Sequence, residues 1–394
     1  MALRVLLVAN TLPPADISGV GEQVLQLAAG LRAVGHEVEI LGRGPGGVPG
    51  PKILFPLNVV FAFLRLRRRF RPHVVQVHES DGVGVALATA AMGSLWRPAP
   101  VLTALLQVSY VEEVRAVRAL VAGGRVLGRP GSVERRFRWL KAPLQIVLGW
   151  LTAWCADRVL TPSERTGHEI ERDYFVSGTA VVPNVKQVVT ESAEASEPPA
   201  LGDDFLLFVG RLRIRKGLEV LFAALARLAS AGQAPGLVIV GDGEHRRALE
   251  TVVERFGLGE KVEFLGRRDA VTVRQLLRRC RALVVPSTYE GMPLVILEAM
   301  EASVPVIASR VSGIPDVVSD RVTGWLVPPE DPVALAEAVS QAQRQPEEAR
   351  RRGAAGRRRL DENFRPEHAV ALWERHVGSV ARSRLDKPIE ELEE

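Results

Sequence analysis

Short apolar runs alternate with loops and amphipathic segments along the whole chain. The first run, Arg4–Ala9, is followed by a loop rich in proline and glycine, by a helical pattern through Val24, Leu27 and Leu31, and by a second run at Val38–Leu41. This order of strand, loop, helix and strand is the opening of a doubly wound parallel domain. Further strands of the same domain are predicted at Val74–His78, Val101–Leu106 and Arg158–Thr161.

The alternation restarts after a polar stretch, Thr190–Asp204, which has the composition of an interdomain linker. Strands are then predicted at Phe205–Val209, Leu237–Val240, Val262–Leu265, Ala282–Val285 and Val306–Ala308, with helices at Leu218–Leu228, Glu244–Phe256, Val271–Arg279, Leu294–Ala302, Asp331–Gln343, Pro346–Leu360 and Pro366–Arg382. We therefore predict an α/β protein with two doubly wound, Rossmann-like domains, residues 1–186 and 201–364, joined by a linker at 187–200. Parallel sheets place their binding loops at the carboxyl ends of the strands, so we expect the two sets of loops to face a common cleft.

Composition excludes several classes of protein. The net charge of +5 on 394 residues is modest, and no DNA- or RNA-binding motif accompanies it, so no nucleic-acid partner is predicted. Cys155 and Cys280 lie far apart and lack metal-ligand spacing, which favours a reducing, cytoplasmic setting and no metal. The apolar start of the chain is too short for a signal peptide, and no stretch is long enough to span a bilayer.

The richest chemical motif is PSTYEGMPLVILEAM, in which seven residues separate Glu290 from Glu298. Pro293 suits the first turn of the helix predicted there, and we place the unpaired N–H groups of its start at Gly291–Leu294, where they favour an anion. Carboxylates beside an anion site suit a ligand that carries hydroxyl groups as well, and a sugar nucleotide carries both. The alternative is a loop glutamate and a helix-surface glutamate without function.

Three other strand-to-helix loops carry weaker signals. Arg211 and Lys216 follow the strand Phe205–Val209 and could bind phosphate, or form a solvated basic loop. Gly241 follows the next strand in a tight turn. The loop before the first helix contains Gly19 but not a full G-x-G-x-x-G fingerprint.

Taken together, FVGRLRIRKG, VIVGDGE, VEFLGR, PSTYEGMPLVILEAM, GIPDVV and TGWLVPP resemble, in order and spacing, the retaining glycosyltransferase family 4, whose signature is E-x7-E. The resemblance implies the GT-B architecture and a hexosyltransferase-type enzyme. It implies transfer from a nucleotide-diphosphate sugar, either a UDP- or a GDP-sugar, with retained anomeric configuration. It also implies that no metal or other cofactor is needed, since the nucleotide sugar is a co-substrate.

The resemblance also assigns roles to residues. Its catalytic set is Glu290, on the transferred sugar, with Arg211 and Lys216 on the diphosphate; its donor-binding set is Glu298, on the ribose, with Gly291, Met292, Pro293, Leu294, Ser18, Gly19, Gly241 and Leu265. The first domain is then the acceptor side. A C-terminal helix, at about 365–384, is expected to return to it.

The acceptor side departs from the family. Many members carry a histidine after the strand equivalent to Val101–Leu106, where this chain has Gln107. His78, at the end of an earlier strand, is the other candidate, with a structural histidine as its alternative reading. Ser303 stands where a glycine is usual. These departures leave open a catalytically weak glycosyltransferase-like partner, a sugar-nucleotide binding protein or a sugar-nucleotide epimerase.

Two basic clusters adjoin apolar segments of the first domain. Arginines at 65, 67, 68, 69 and 71 follow Val59–Leu64, and Arg135–Lys141 precedes a segment that contains Trp150 and Trp154. Such segments suit an anionic membrane surface, although core helices with solvated basic ends have the same pattern. We expect peripheral docking on the inner membrane face and a lipid-linked or cell-envelope acceptor.

Overall fold

The computed structural model describes residues 1–10, 12, 19–43, 47–92, 99–122, 137–186, 202 and 204–386. Twelve strands in this part of the chain form two six-stranded parallel sheets. The strands are β1 (Arg4–Ala9), β2 (Glu37–Gly42), β3 (Val74–His78), β4 (Val101–Leu105), β5 (Arg158–Thr161), β6 (Ala180–Val181), β7 (Phe205–Val209), β8 (Gly236–Val240), β9 (Val262–Gly266), β10 (Ala282–Val285), β11 (Val306–Ser309) and β12 (Gly324–Val327). The prediction of an α/β fold with two doubly wound sheets is confirmed.

The helices between them are α1 (Gly19–Ala33), α2 (Phe55–Phe70), α3 (Val83–Ala91), α4 (Tyr110–Ala122), α5 (Ala142–Cys155), α6 (Glu164–Tyr174), α7 (Leu218–Ala229), α8 (Arg246–Arg255), α9 (Ala270–Arg279), α10 (Leu294–Glu301), α11 (Ile314–Val317), α12 (Pro332–Arg344), α13 (Pro346–Asn363), α14 (Pro366–Trp373) and α15 (Ser379–Asp386). The sequence predicted one helix over Pro366–Arg382. A π-helical segment, Glu374–Gly378, instead joins α14 to α15 there.

The chain divides into two compact units. The first contains Met1–Val111, Lys141–Gln187 and Arg365–Glu394, and the second contains Glu112–Leu140 and Val188–Phe364. The last segment of the chain thus belongs to the unit that contains β1.

The first sheet has the strand order β2-β1-β3-β4-β5-β6. One face is covered by α1 and the C-terminal helices, where Trp373 is completely buried among apolar side chains of the sheet. The other face is covered by α2 and α3, through residues such as Phe55 and Phe63. The strand order reverses between β1 and β3, and parallel sheets bind ligands beside the carboxyl ends of the strands at such a point.

The second sheet has the order β12-β11-β10-β7-β8-β9, so its reversal lies between β7 and β10. Helices α7, α8 and α12 cover one face, and α9 and α10 cover the other. Its strands are nearly continuous runs of buried aliphatic residues, as expected for a sheet covered on both sides.

Strand β12 was not predicted from the sequence, which showed only a turn-rich segment over Thr323–Val327. The structure pairs Gly324–Val327 in parallel with β11 and buries Trp325 and Leu326. Gly324 is needed at this edge, because a Cβ atom there would lie 2.2 Å from the carbonyl oxygen of Val306.

Candidate functional site

The second unit brings two predicted loops together at the carboxyl ends of β7 and β10. A 3-10 turn, Ile214–Lys216, follows β7, and the segment Pro286–Pro293 follows β10. The backbone N–H of Thr288 donates to the carbonyl of Arg215 at 2.8 Å. Gly217 has a φ of 68°, and a Cβ atom there would lie 2.0 Å from the carbonyl oxygen of Pro286. The two loops are therefore packed backbone against backbone, at the point where the strand order reverses.

Glu290 lies in the middle of this junction and is only 6% exposed. Its carboxylate forms a close ion pair with the ammonium of Lys216. The hydroxyl of Ser287 donates to Oε1 at 2.8 Å. The guanidinium of Arg215 lies 3.4 Å from Oε2. Glu290 is therefore not an exposed loop carboxylate but the acceptor of a buried ionic network.

Arg215 is a site residue that the sequence did not single out. Its NH1 donates to the carbonyl oxygen of Tyr289 at 2.9 Å, and its Nε lies 3.1 Å from Oε1 of Glu113 in α4. Glu113 is itself only 6% exposed. Four basic residues in six positions, 211 to 216, look alike in the sequence. Only the fold shows that Arg215 points into the network.

Burial and neighbouring charges shift the pKa values of Glu290, Lys216 and Arg215 in this network. Burial alone would raise the pKa of Glu290, but the positive charges of Lys216 and Arg215 lower it to about 2. Burial lowers the pKa of Lys216, against the opposing effect of Glu290. Burial would also lower the pKa of Arg215, but Glu113 and Glu290 raise it.

The network contains two cationic and two anionic side chains, so its formal charge is zero. Lys216 has three N–H donors, and one contact to Glu290 leaves the ammonium able to donate to another oxygen. Such a preorganised cation can stabilise negative charge that develops on a leaving group.

Close backbone approach also shapes the ends of β7, β8 and β9. Gly241 has a φ of 134°, and a Cβ atom there would lie 1.9 Å from the carbonyl oxygen of Gly210. Its N–H donates to the carbonyl of Gly266 at 2.8 Å. Leu265, one residue earlier in β9, is partly exposed. Glycine is required at 241 by backbone geometry, whichever ligand binds.

The start of α10 differs from the sequence prediction. The helix begins at Leu294, with Pro293 as its N-cap in extended conformation, and Pro293 contributes no N–H group. The N–H of Ile296 donates to the carbonyl of Pro293. The first-turn amides of the helix are thus those of Leu294 and Val295, while Gly291 and Met292 lie before it and are buried.

The remaining donor-side candidates lie in different surroundings. Glu298 is partly exposed on α10, although its neighbours Leu297 and Ala299 are buried, because adjacent helical positions point in different directions. Arg211 is exposed, unlike Lys216 and Arg215. Gly19 is the exposed first residue of α1, and Ser18 lies outside the described residues.

On the first unit, His78 ends β3 and is buried. Its Nε2 lies 3.1 Å from Nε2 of Gln76. Oε1 of Gln76 accepts from the indole N–H of Trp373 at 2.7 Å. An indole N–H only donates, so it fixes the orientation of the amide, and the NH2 group of Gln76 must then donate to His78. The neutral ring of His78 therefore carries its proton on Nδ1.

The Nδ1 atom of His78 is buried and has no hydrogen-bond partner among the described residues. Burial lowers the pKa of His78 to about 3, so the ring is neutral. His78 lines a cavity of about 20 Å³ together with Gln107 and Asn184. That volume accommodates about one water molecule or hydroxyl group.

The side chain of Gln107 is paired with Asn184. The two amides exchange hydrogen bonds of 2.9 and 2.8 Å. The backbone N–H of Gln107 donates to Oε1 of Glu79 at 2.8 Å. Glu79 itself has a φ of 61° and a ψ of 178°, a conformation that is rare outside glycine. The structure thus brings His78 and Gln107 together, with Gln107 held from both its backbone and its side chain.

Over the described residues, histidine, cysteine and carboxylate side chains form no group of three that could hold a metal ion. In the same part of the chain, no helix combines the length and apolarity needed to cross a membrane.

Comparison with protein families identifies both halves of the chain. The model of glycosyltransferase family 4 matches residues 17–185, and the model of glycosyl transferases group 1 matches residues 189–359. The chain is 28% identical over 386 residues to a glycogen synthase of Mycobacterium tuberculosis, covering 92% of this chain and 91% of that protein. It is 27% identical over 328 residues to a 2-deoxystreptamine glucosyltransferase of Streptomyces kanamyceticus, covering 80% of each.

Solved structures show the same fold. A sucrose-phosphate synthase from Thermosynechococcus elongatus superposes with a TM-score of 0.77 at 23% identity, over 97% of this chain and 99% of that one. Anabaena HepE, solved in complex with UDP-glucose, superposes with a TM-score of 0.65 at 16% identity, over 96% of this chain and 100% of that one. These solved structures have the GT-B fold. The GT-B architecture predicted from the sequence is therefore confirmed. The chain belongs to glycosyltransferase family 4.

Proposed function

We propose that this glycosyltransferase moves a sugar from a nucleotide-diphosphate sugar to an acceptor with retention of configuration and without a metal ion. The observation that carries the proposal is the buried network of Lys216, Arg215 and Glu290 at the carboxyl ends of β7 and β10. A buried cation held there is suited to a leaving diphosphate. The UDP-glucose bound by HepE supports a UDP-sugar as the first donor to test, with a GDP-sugar as the alternative.

We assign the diphosphate to Lys216 and the exposed Arg211, assisted by the first-turn amides of α10 at Leu294 and Val295. Glu290 then has two tasks, since it holds Lys216 in place and presents a carboxylate to the sugar hydroxyls. Glu298, on the partly exposed face of α10, binds the ribose. The remaining donor contacts are proposed at Gly291, Met292, Pro293, Ser18, Gly19, Gly241 and Leu265.

The acceptor is proposed to bind to the first unit, near the ends of β3 and β4. The N–H of His78 there lacks a partner among the described residues and can donate to a hydroxyl oxygen. Gln107, whose amide is occupied by Asn184, is assigned to shaping this region. We propose a lipid-linked or cell-envelope glycan as acceptor, and a cytoplasmic enzyme that associates peripherally with the membrane.

Donor binding is tested by a thermal-shift panel of UDP-, GDP- and ADP-sugars, followed by an assay of donor hydrolysis and transfer with the best ligand. We expect Glu290→Ala, Lys216→Ala and Arg211→Ala each to lower turnover at least ~100-fold, the scale of one lost transition-state charge contact. Arg227→Ala, at an exposed position of α7, is the matched control and should retain wild-type turnover. Wild-type rates in all three site variants would refute the assignment.

Two further measurements address the mechanism. NMR of the product should show the donor's anomeric configuration, and an inverted product would exclude retention. Turnover should be unaffected by EDTA, whereas a loss restored by Mg²⁺ would exclude the metal-independent route. The protein could instead bind a sugar nucleotide without hydrolysing it or transferring its sugar. That result would identify it as a glycosyltransferase-like binding protein, the alternative left open by the residues of the acceptor side that differ from the family.

A further inference from the structure

Large apolar side chains lie in solvent along one line of α2 and the 3-10 turn before it. Ile53, Leu57 and Phe61 are spaced four residues apart and are 81, 66 and 70% exposed. Residues four apart share one face of a helix, so these three side chains form a single stripe. The opposite face of α2 is buried in the core through residues such as Val59 and Phe63. The side chains of the stripe are therefore not the ones that pack α2 against the core.

Exposed apolar side chains also lie on neighbouring helices of the same unit. Helix α3 packs against both α2 and α5, so it lies between them. Leu87 on α3 and Leu144, Val147 and Trp154 on α5 are all exposed. We call these seven residues, 53, 57, 61, 87, 144, 147 and 154, the α2–α5 face.

Residues 204–364 provide an internal comparison, whereas Trp139 and Leu140, which the second unit also contains and which shortly precede α5 in the chain, are exposed. Over residues 204–364, which the structure describes, the large apolar side chains that are exposed are three separate valines, Val271, Val322 and Val333. Scattered single residues of that kind are normal on a protein surface, whereas an extended apolar surface usually marks an interaction site.

The charged side chains of α2 and of the turn before it are all positive. The segment 52–71 contains Lys52 and arginines at 65, 67, 68, 69 and 71, and it has no aspartate or glutamate. Helix α5 has no acidic residue either, and the exposed Lys141 immediately precedes it. An apolar stripe flanked by cations is complementary to an anionic lipid surface.

A groove of about 590 Å³ lies beside the stripe, between α2 and the edge strand β2. Phe61, Arg65 and Arg69 line it, together with Asn58 and, on the strand side, Glu39. Two guanidinium groups beside an exposed aromatic ring are suited to a phosphate whose acyl chains continue into the stripe.

We propose that the α2–α5 face is a membrane-docking surface, on which the apolar stripe inserts among the acyl chains of an anionic bilayer while Arg65 and Arg69 bind lipid phosphates. A second copy of the chain is a poorer occupant, because two copies of this face would bring the same arginine cluster against itself. This surface rests on the peripheral membrane association proposed above and assigns it to named residues, and failure of vesicle binding would leave the donor-binding and transfer assays unaffected.

Flotation of the full chain with phosphatidylglycerol vesicles and with phosphatidylcholine vesicles tests this surface. We expect binding to the anionic vesicles, weakened by salt, and little binding to the neutral ones. The double variant Leu57→Gln/Phe61→Gln should lower affinity at least ~10-fold, because each side chain loses the free energy of apolar burial. Arg65→Gln/Arg69→Gln should lower it and reduce its salt dependence.

The matched controls are Leu25→Gln, an exposed leucine on α1 at the other face of the sheet, and Arg278→Gln, an exposed arginine of α9 in the second unit. Both should bind like the wild type. An unchanged melting temperature in the α2 variants would show that the first unit, which contains α2, remains folded. Equal and negligible binding to both vesicle types would overturn the proposal, as would stripe variants that bind like wild type. If the wild type forms a dimer in solution and the Leu57→Gln/Phe61→Gln variant is a monomer, the face binds a second copy of the chain and the proposal is wrong.

Discussion

The indole Nε1 of Trp373 donates a hydrogen bond of 2.7 Å to Oε1 of Gln76, 297 residues earlier in the chain. Both side chains are buried, and the hydroxyl of Thr103 shares the same oxygen at 3.4 Å. The C-terminal segment thereby determines the orientation of an amide in the first sheet. That amide in turn determines which nitrogen of His78 carries the proton.

We predict that Trp373→Phe mixes the two tautomers of His78. Phenylalanine fills most of the same space but removes the only donor of the indole, so the amide of Gln76 can turn over. The free energy of unfolding should fall by about 1–3 kcal/mol, the usual cost of a broken buried hydrogen bond. Nitrogen-15 NMR of labelled histidine distinguishes a protonated Nδ1 from a protonated Nε2. A His78 spectrum identical to that of the wild type would show that the tautomer of His78 does not depend on the hydrogen bond from Trp373 to Gln76.

A second prediction concerns acid stability and follows from the pKa of His78, which is about 3 instead of 6.5. Between these two pH values the unfolded chain binds a proton at His78 and the folded chain does not, so stability falls as the pH falls. The contribution is about 1.4 kcal/mol per pH unit. His78→Asn retains an N–H donor near the position of Nδ1 but does not titrate.

The free energy of unfolding of His78→Asn should therefore decline less steeply than that of the wild type as the pH falls from about 6.5 towards 3. Denaturant titrations at several pH values give both curves. Parallel curves over this range would show that His78 is not buried in its neutral form.

The backbone contact at Gly217 provides a third prediction. In Gly217→Ala the added Cβ would lie 2.0 Å from the carbonyl oxygen of Pro286, and the loop that carries Lys216 would have to move away from the loop that carries Glu290. Gly257→Ala is the matched control, because Gly257 has a φ of 66° and no atom within 4 Å of the added Cβ. Both variants carry the strain of a left-handed residue, about 1–2 kcal/mol.

We expect Gly217→Ala to be less stable than Gly257→Ala by at least ~2 kcal/mol, and its turnover to fall at least ~10-fold, since overpacking typically costs about 1–3 kcal/mol and displaced catalytic groups lose rate. Thermal denaturation and the transfer assay measure the two effects. Equal stability and turnover in the two variants would mean that the loops can separate without consequence.

A fourth prediction concerns Ser303, which stands where the family usually has glycine. The structure explains that preference, because Ser303 has a φ of 58° in the turn after α10. Ser303→Gly should raise the free energy of unfolding by up to about 1 kcal/mol. The left-handed strain that it relieves costs more free energy than the conformational entropy that glycine adds to the unfolded chain. Ser230→Gly, at a position with a φ of −62°, should be neutral or destabilising. A loss of stability at 303 similar to that at 230 would contradict the argument.

Much of the fold followed from the sequence, because buried parallel strands are short aliphatic runs between loops. The runs at Arg4–Ala9, Phe205–Val209 and Ala282–Val285 were predicted with the bounds that the structure has. Strand β12 was missed because a four-residue edge strand that begins with glycine has the composition of a turn.

The candidate site was only partly predictable. The E-x7-E spacing located Glu290 and Glu298, but it gave no sign that Glu290 is buried against Lys216. The pairing of Arg215 with Glu113 joins residues 102 positions apart, and local pattern carries no information on such a contact. The tautomer of His78 likewise depends on Trp373, which only the folded chain brings near. The sequence signal was thus local, whereas the chemistry of each side chain depends on distant partners.

The place of Trp373 in the first unit also constrains the order in which the protein forms during synthesis. The second unit is complete once Phe364 has left the ribosome, but the first still lacks the C-terminal helices that, together with α1, cover one face of its sheet. The part of the chain made first should therefore reach its final packing last. Ribosome-bound chains stalled with residues 1–364 exposed should yield a protease-resistant second unit and a sensitive first one. Resistance of both units at that length would show that the N-terminal sheet matures without its C-terminal helices.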